Sequence, residues 1–172
     1  MKTIFAILVL FFAGFKGSSQ LSEQQENKID SLKSVIKSTV HDTVKVEALQ
    51  VWDDIIYVSD PELDYALNLK IGSICRKNLS LKLSPEETLF FTNKLAGALN
   101  IFGIVARSQG KPEESKAYFN KSLNLSKTIG DSSVVAATIG NIASVLQEQG
   151  HYDSALTKHS ESLQIYLALK NK

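Results

Sequence analysis

From Ser22 onward the apolar residues recur at spacings of three and four, the period of a helix with one buried stripe. Ile29, Leu32, Ile36 and Val40 share such a stripe and predict a first helix over residues 22–39. Val44, Leu49, Trp52, Ile55 and Ile56 predict a second over 43–58. Asp60-Pro61 is a capping residue followed by proline in the first turn, where the missing N–H costs nothing. It opens a third helix carrying Leu63, Ala66, Leu67, Ile71 and Ile74. Ser84-Pro85-Glu86-Glu87 reads as a capping box and starts a fourth, running to about Gln109 and stopping at Gly110. Pro112 opens a fifth ending near Gly130, Asp131 caps a sixth ending at Gly150, and a seventh runs from Tyr152 to Leu169. Strict alternation is scarce and no Asn-Gly or Asp-Gly hairpin signal occurs, so the predicted class is all-α.

An internal repeat organises the second half. Residues 98–130 align with 138–170 at a shift of 40. Gly110 falls on Gly150, Val105 on Val145, Ser122 on Ser162, and Gly103 on Ala143, small on small. Each unit is helix, glycine turn, helix, and neither helix can bury its stripe alone, so the hairpins must stack. The segment from Asn141 to Ile165 resembles a tetratricopeptide repeat. In that family a large apolar residue precedes a small one at the close helix contact, as Phe102-Gly103 and Ile142-Ala143 do. A turn glycine, an aromatic and an alanine follow, as in Gly150, Tyr152 and Ala155; Gly110 holds the equivalent turn in the earlier unit. Pro112 and Ser115 depart from the aromatic and the alanine there, and His159 stands where Phe119 supplies a large aromatic.

The resemblance implies antiparallel hairpins stacked as a short right-handed solenoid. The implied organisation is a signal peptide over 1–19, a lead helix over 20–42, a degenerate hairpin with an insertion over 43–95, and two repeats over 96–172. It also implies a concave groove that binds peptide or protein, lined by Asn100, Ile104 and Arg107 in one unit and by Asn141, Ser144 and Glu148 in the next. Asn141 matches one asparagine used by relatives that clamp a C-terminal carboxylate, but Asn100 and Ile104 break that pattern, so no clamp is expected. The last helix carries Ile165, Tyr166, Leu167 and Leu169, an apolar edge over 152–169 suited to further repeats, a second copy or another protein.

The N-terminus changes the setting. A basic Met1-Lys2, an apolar run from Ile4 to Phe15 and the small, polar Gly17-Ser18-Ser19 form the three-part layout of a secretory signal. The run spans roughly 18 Å as a helix, short of the ~30 Å hydrocarbon core. Cleavage after Ser19 removes Lys2 and Lys16 and takes the formal charge from +1 to −1. No later stretch is expected to span a membrane. Export to the periplasm or cell envelope is the expectation. The order of segments also resembles the sensory N-terminal region of membrane sensor kinases and nucleotide cyclases, the alternative to a stand-alone scaffold.

Chemistry is hard to find. Only two of the 19 basic residues are arginine and they are unclustered, which argues against nucleic acid. One cysteine, Cys75, excludes an internal disulfide and reads as a buried small hydrophobe. His151 and His159 are too far apart on one helix to share a metal, and His159 reads as a packing side chain. Asp53-Asp54 reads as solvated surface. No catalytic group, metal site or cofactor is expected.

Overall fold

The computed structural model describes residues 21–38 and 40–170. The segment read as a signal peptide, residues 1–19, lies outside them. Seven helices follow one another: α1 (Glu23–Lys37), α2 (Asp42–Ile56), α3 (Pro61–Leu79), α4 (Pro85–Ser108), α5 (Pro112–Ile129), α6 (Ser132–Glu148) and α7 (Tyr152–Lys170). There is no strand among the described residues. Each helix packs on its neighbour in sequence, and α4 also touches α2 and α6. This is an all-α stack of consecutive antiparallel hairpins, as the sequence predicts.

Local signals set the ends. Ser22 and Ser84 close capping boxes with Gln25 and Glu87, and the Asp60 and Asp131 side chains accept the N–H of Leu63 and Val134 at 3.0 Å. Gly110 and Gly150 take φ of 70° and 80°, which L side chains avoid. Lys111 and His151 then donate their N–H back to Ala106 and Leu146 at 2.9 Å, closing paired C-terminal caps. The expected boundary between residues 95 and 96 falls inside α4, which has 24 residues against 17 in α6.

The larger core gathers Ile29, Val46, Leu49, Ile56, Leu67, Ile71, Cys75, Phe91, Leu95, Leu99 and Phe102 from α1 to α4. Tyr65, Phe102 and Tyr118 form an edge-to-face ladder at 5.7 and 5.6 Å that ties α3, α4 and α5 together. α4 is long and apolar enough to cross a membrane, contrary to the expectation from sequence. Its apolar residues are those of a central helix covered by α3, α5 and α6.

Three sequence expectations are corrected. Tyr152 is 70% exposed rather than packed between repeats, and His159 is exposed too. Both lie on α7, whose outer side carries Leu156, Leu163, Tyr166 and Leu167 uncovered as well. Asp53 is not solvated surface: it is 6% exposed, facing α3, while Asp54 stays outside. Asn68 donates one amide nitrogen to both Asp53 Oδ2 at 3.1 Å and Asp64 Oδ1 at 2.9 Å. Asp53 Oδ1 is buried with no donor. Burial, with the Asp64 carboxylate alongside, pushes the Asp53 carboxyl up to about 7.

Two predictions follow from this packing. A Cβ at Gly103 would collide with the Phe119 ring, whereas one at Gly97 meets nothing within 4 Å. Gly103→Ala should cost about 1–3 kcal/mol by over-packing. Gly97→Ala should gain about 0.5–1 kcal/mol in helix stability, both read by thermal melting. The Asp53 carboxyl is held protonated, so its stabilisation is full below about pH 4 and is lost as pH rises through about 7. The melting temperature should therefore fall between about pH 4 and pH 7 and level off above that, and Asp53→Asn should flatten that fall.

Candidate functional site

The six residues expected to line a groove lie on α4 and α6, helices in direct contact. Four of them pair with one another. Asn141 Nδ2 donates to Asn100 Oδ1 at 3.1 Å, and Arg107 Nε lies 3.7 Å from Glu148 Oε1. The second pair is partly solvated and contributes little energy, but it fixes which turns of α4 and α6 are level. Ser144 is not brought into this seam; its hydroxyl donates to Gly140 O, one turn back on its own helix. Ile104 sits half-buried on the same face as Asn100 and Arg107.

The seam extends further than the sequence suggested. Asn93 Nδ2 donates to Asp131 Oδ2, so Asp131 both caps α6 and joins it to α4. Thr138 donates to Asn100 Oδ1 at 3.3 Å and sits 3.3 Å from the Ser122 hydroxyl, which itself donates to Ala96 O at 2.7 Å. At the far end Gln149 receives Lys116 Nζ and donates to Glu113 Oε1, and Lys116 first, with Gln149 second, holds the Glu113 carboxyl below its ordinary range. The network thus runs through α4, α5 and α6.

On α4, Glu86, Asn93, Asn100 and Arg107 stand seven apart and so keep to one face. Beyond the N-terminal end of α6 this face opens into a hollow of about 500 Å³, lined by Glu86, Leu89, Phe90, Asn93 and the turn Ile129-Gly130-Asp131. Leu89 is 51% exposed there. Assigning residues 43–95 to a degenerate hairpin with an insertion left these residues out of the groove, although the seven-residue spacing carried backward from Arg107 passes through Asn93 to Glu86.

Chemically, the face offers carboxamides, which present donor and acceptor together, beside an apolar hollow. That suits an extended chain with an apolar side chain. Cys75 lies away from this face, in the α1–α4 core, where burial pushes its thiol up to about 12. Among the described residues no group of three or more His, Cys, Asp or Glu could hold a metal ion.

Comparison with known families bears on residues 94–168. A family model described as tetratricopeptide repeat matches residues 94–168. These residues are tetratricopeptide repeats. No curated protein and no solved structure matches the chain. The tetratricopeptide segment takes in α4 from Lys94 onward together with α5, α6 and α7. The hollow's Glu86, Leu89, Phe90 and Asn93 lie just before it. Tetratricopeptide repeats serve as protein-interaction scaffolds, generally without enzymatic activity.

Asn100 is the acceptor both Thr138 and Asn141 depend on, so Asn100→Ala should cost about 1–2 kcal/mol. Amide hydrogen exchange should quicken across α6 and α7 and hold steady in α2 and α3.

Proposed function

We propose that this protein is a non-enzymatic scaffold of the cell envelope that binds an extended peptide or protein segment along the shared face of α4 and α6. The observation that carries this reading is the hollow beside Leu89, Phe90 and Asn93, continuous with the carboxamides Asn100 and Asn141 on one face. An apolar side chain of the partner enters the hollow, and its main chain exchanges hydrogen bonds with the free halves of the asparagine amides. The apolar run Ile4–Phe15 with its basic start and small, polar end supports export.

Panning a displayed random-peptide library against residues 20–172 tests the binding face. Leu89→Lys should weaken the selected peptides about tenfold or more, while Leu163→Lys on α7 leaves them unchanged. Peptides indifferent to Leu89→Lys would place the binding surface elsewhere. Export is tested by fusing residues 1–40 to a reporter active only outside the cytoplasm; an inactive, cytoplasmic fusion would remove the envelope setting.

A further inference from the structure

The opposite side of α4 carries a second concavity. With Asn93 as origin, Leu95 and Leu99 point at about 200° and 240° around the helix, and Asn100 and Arg107 at about 340° and 320°. The two leucines floor a cleft of about 420 Å³ between α3 and α5, helices that do not touch each other. Tyr118 and Leu125 add apolar wall, and Arg76, Lys121 and Asn124 complete the lining.

The three polar residues carry no other assignment. Among the described residues neither Arg76 nor Lys121 forms an ion pair, although eight pairs form elsewhere. Arg76 and Lys121 stand on separate helices, across the apolar floor from one another. The internal repeat supplies a comparison. A shift of 40 carries Lys121, Asn124 and Leu125 onto Glu161, Gln164 and Ile165, which line a hollow of about 370 Å³ against Ser132, Ala168 and Leu169. There Glu161 takes the place of the lysine and is paired with Lys158 at 2.7 Å. The later unit neutralises its charge internally; the cleft between α3 and α5 leaves Arg76 and Lys121 without an ion pair beside the leucines.

We propose that the cleft between α3 and α5 is a binding site for a small amphiphilic carboxylate. Its aliphatic chain lies on Leu95, Leu99 and Leu125, and its carboxylate is held between the Arg76 fork and the Lys121 ammonium, with the Asn124 amide as a further donor. The volume falls within the range of about 300–1,000 Å³ typical of small-ligand sites. A carboxylate matches the arginine fork in geometry, and each charge-assisted bond gains strength above an apolar floor. The site is independent of the α4–α6 face.

Decanoate is the probe, titrated into the full chain and followed by calorimetry and by amide shifts in nuclear magnetic resonance. One saturable site is expected, with shifts concentrated at Leu95, Leu99 and residues 118–125. Decanol, which lacks the charge, and butyrate, which lacks the chain, should each bind at least about tenfold more weakly. Arg76→Gln and Lys121→Gln change exposed side chains and should each weaken decanoate about tenfold, the size of one charge-assisted bond. Asn124→Trp should abolish binding by filling the cleft, with circular dichroism unchanged. Equal binding of decanol, no saturation in the millimolar range, or shifts confined to the exposed leucines of α7 would each overturn the proposal.

Discussion

The hydroxyls of Ser122 and Ser162 are buried, and each donates to a main-chain oxygen of the preceding helix, Ala96 and Ala136, at 2.7 Å. The two bonds sit 40 residues apart and span the same separation, so one contact is used twice. Two helices approach this closely only where side chains are small, and a hydroxyl can be buried there only if its bond is made. Ser115 adds a third such bond to Gly103 O, beside the point where Phe119 lies flat on the glycine. These contacts set the register of α5 on α4 and of α7 on α6. Everything further out inherits that register. Ser122 also reaches Thr138, which reaches Asn100, so the seam between the two hairpins grows from the same buried serine.

Much of this was legible in the sequence because it depends on spacing and on residue size. The stripes at three and four, the capping serines and aspartates, the turn glycines and the 40-residue shift each act over a few turns. What was not legible depends on a neighbour. Asp53 and Asp54 look alike in sequence, and only the arrival of Asn68 and Asp64 on α3 buries one and leaves the other outside. Tyr152 fits the family pattern, yet it is exposed because no described helix packs on the outer side of α7. The expected groove residues lie on α4 and α6, but spacing within a helix cannot say that Asn100 and Arg107 spend part of their bonding capacity on Asn141 and Glu148.

α4 is consequently the helix that the two proposed binding surfaces share. It is the longest of the described helices, its core side holds the Tyr65–Phe102–Tyr118 ladder, and it offers two different concave surfaces. One is polar with an apolar hollow at its end, and it continues onto α6. The other is apolar, rimmed by unpaired cations, and it is closed by α3 and α5. The tetratricopeptide match covers α5 to α7 and α4 from Lys94 onward, and it leaves the chemistry of both surfaces to side chains particular to this chain.

The most direct measurement of this account is the nuclear Overhauser contact between the Phe119 ring protons and the Gly103 α-protons in the full chain. The close crossing of α4 and α5 predicts strong cross-peaks, with the Gly103 α-protons shifted upfield by the ring above them. A Phe119 ring with the shifts of a solvated phenylalanine and no contact to Gly103 would contradict the register on which the seam, the hollow and the cleft all depend.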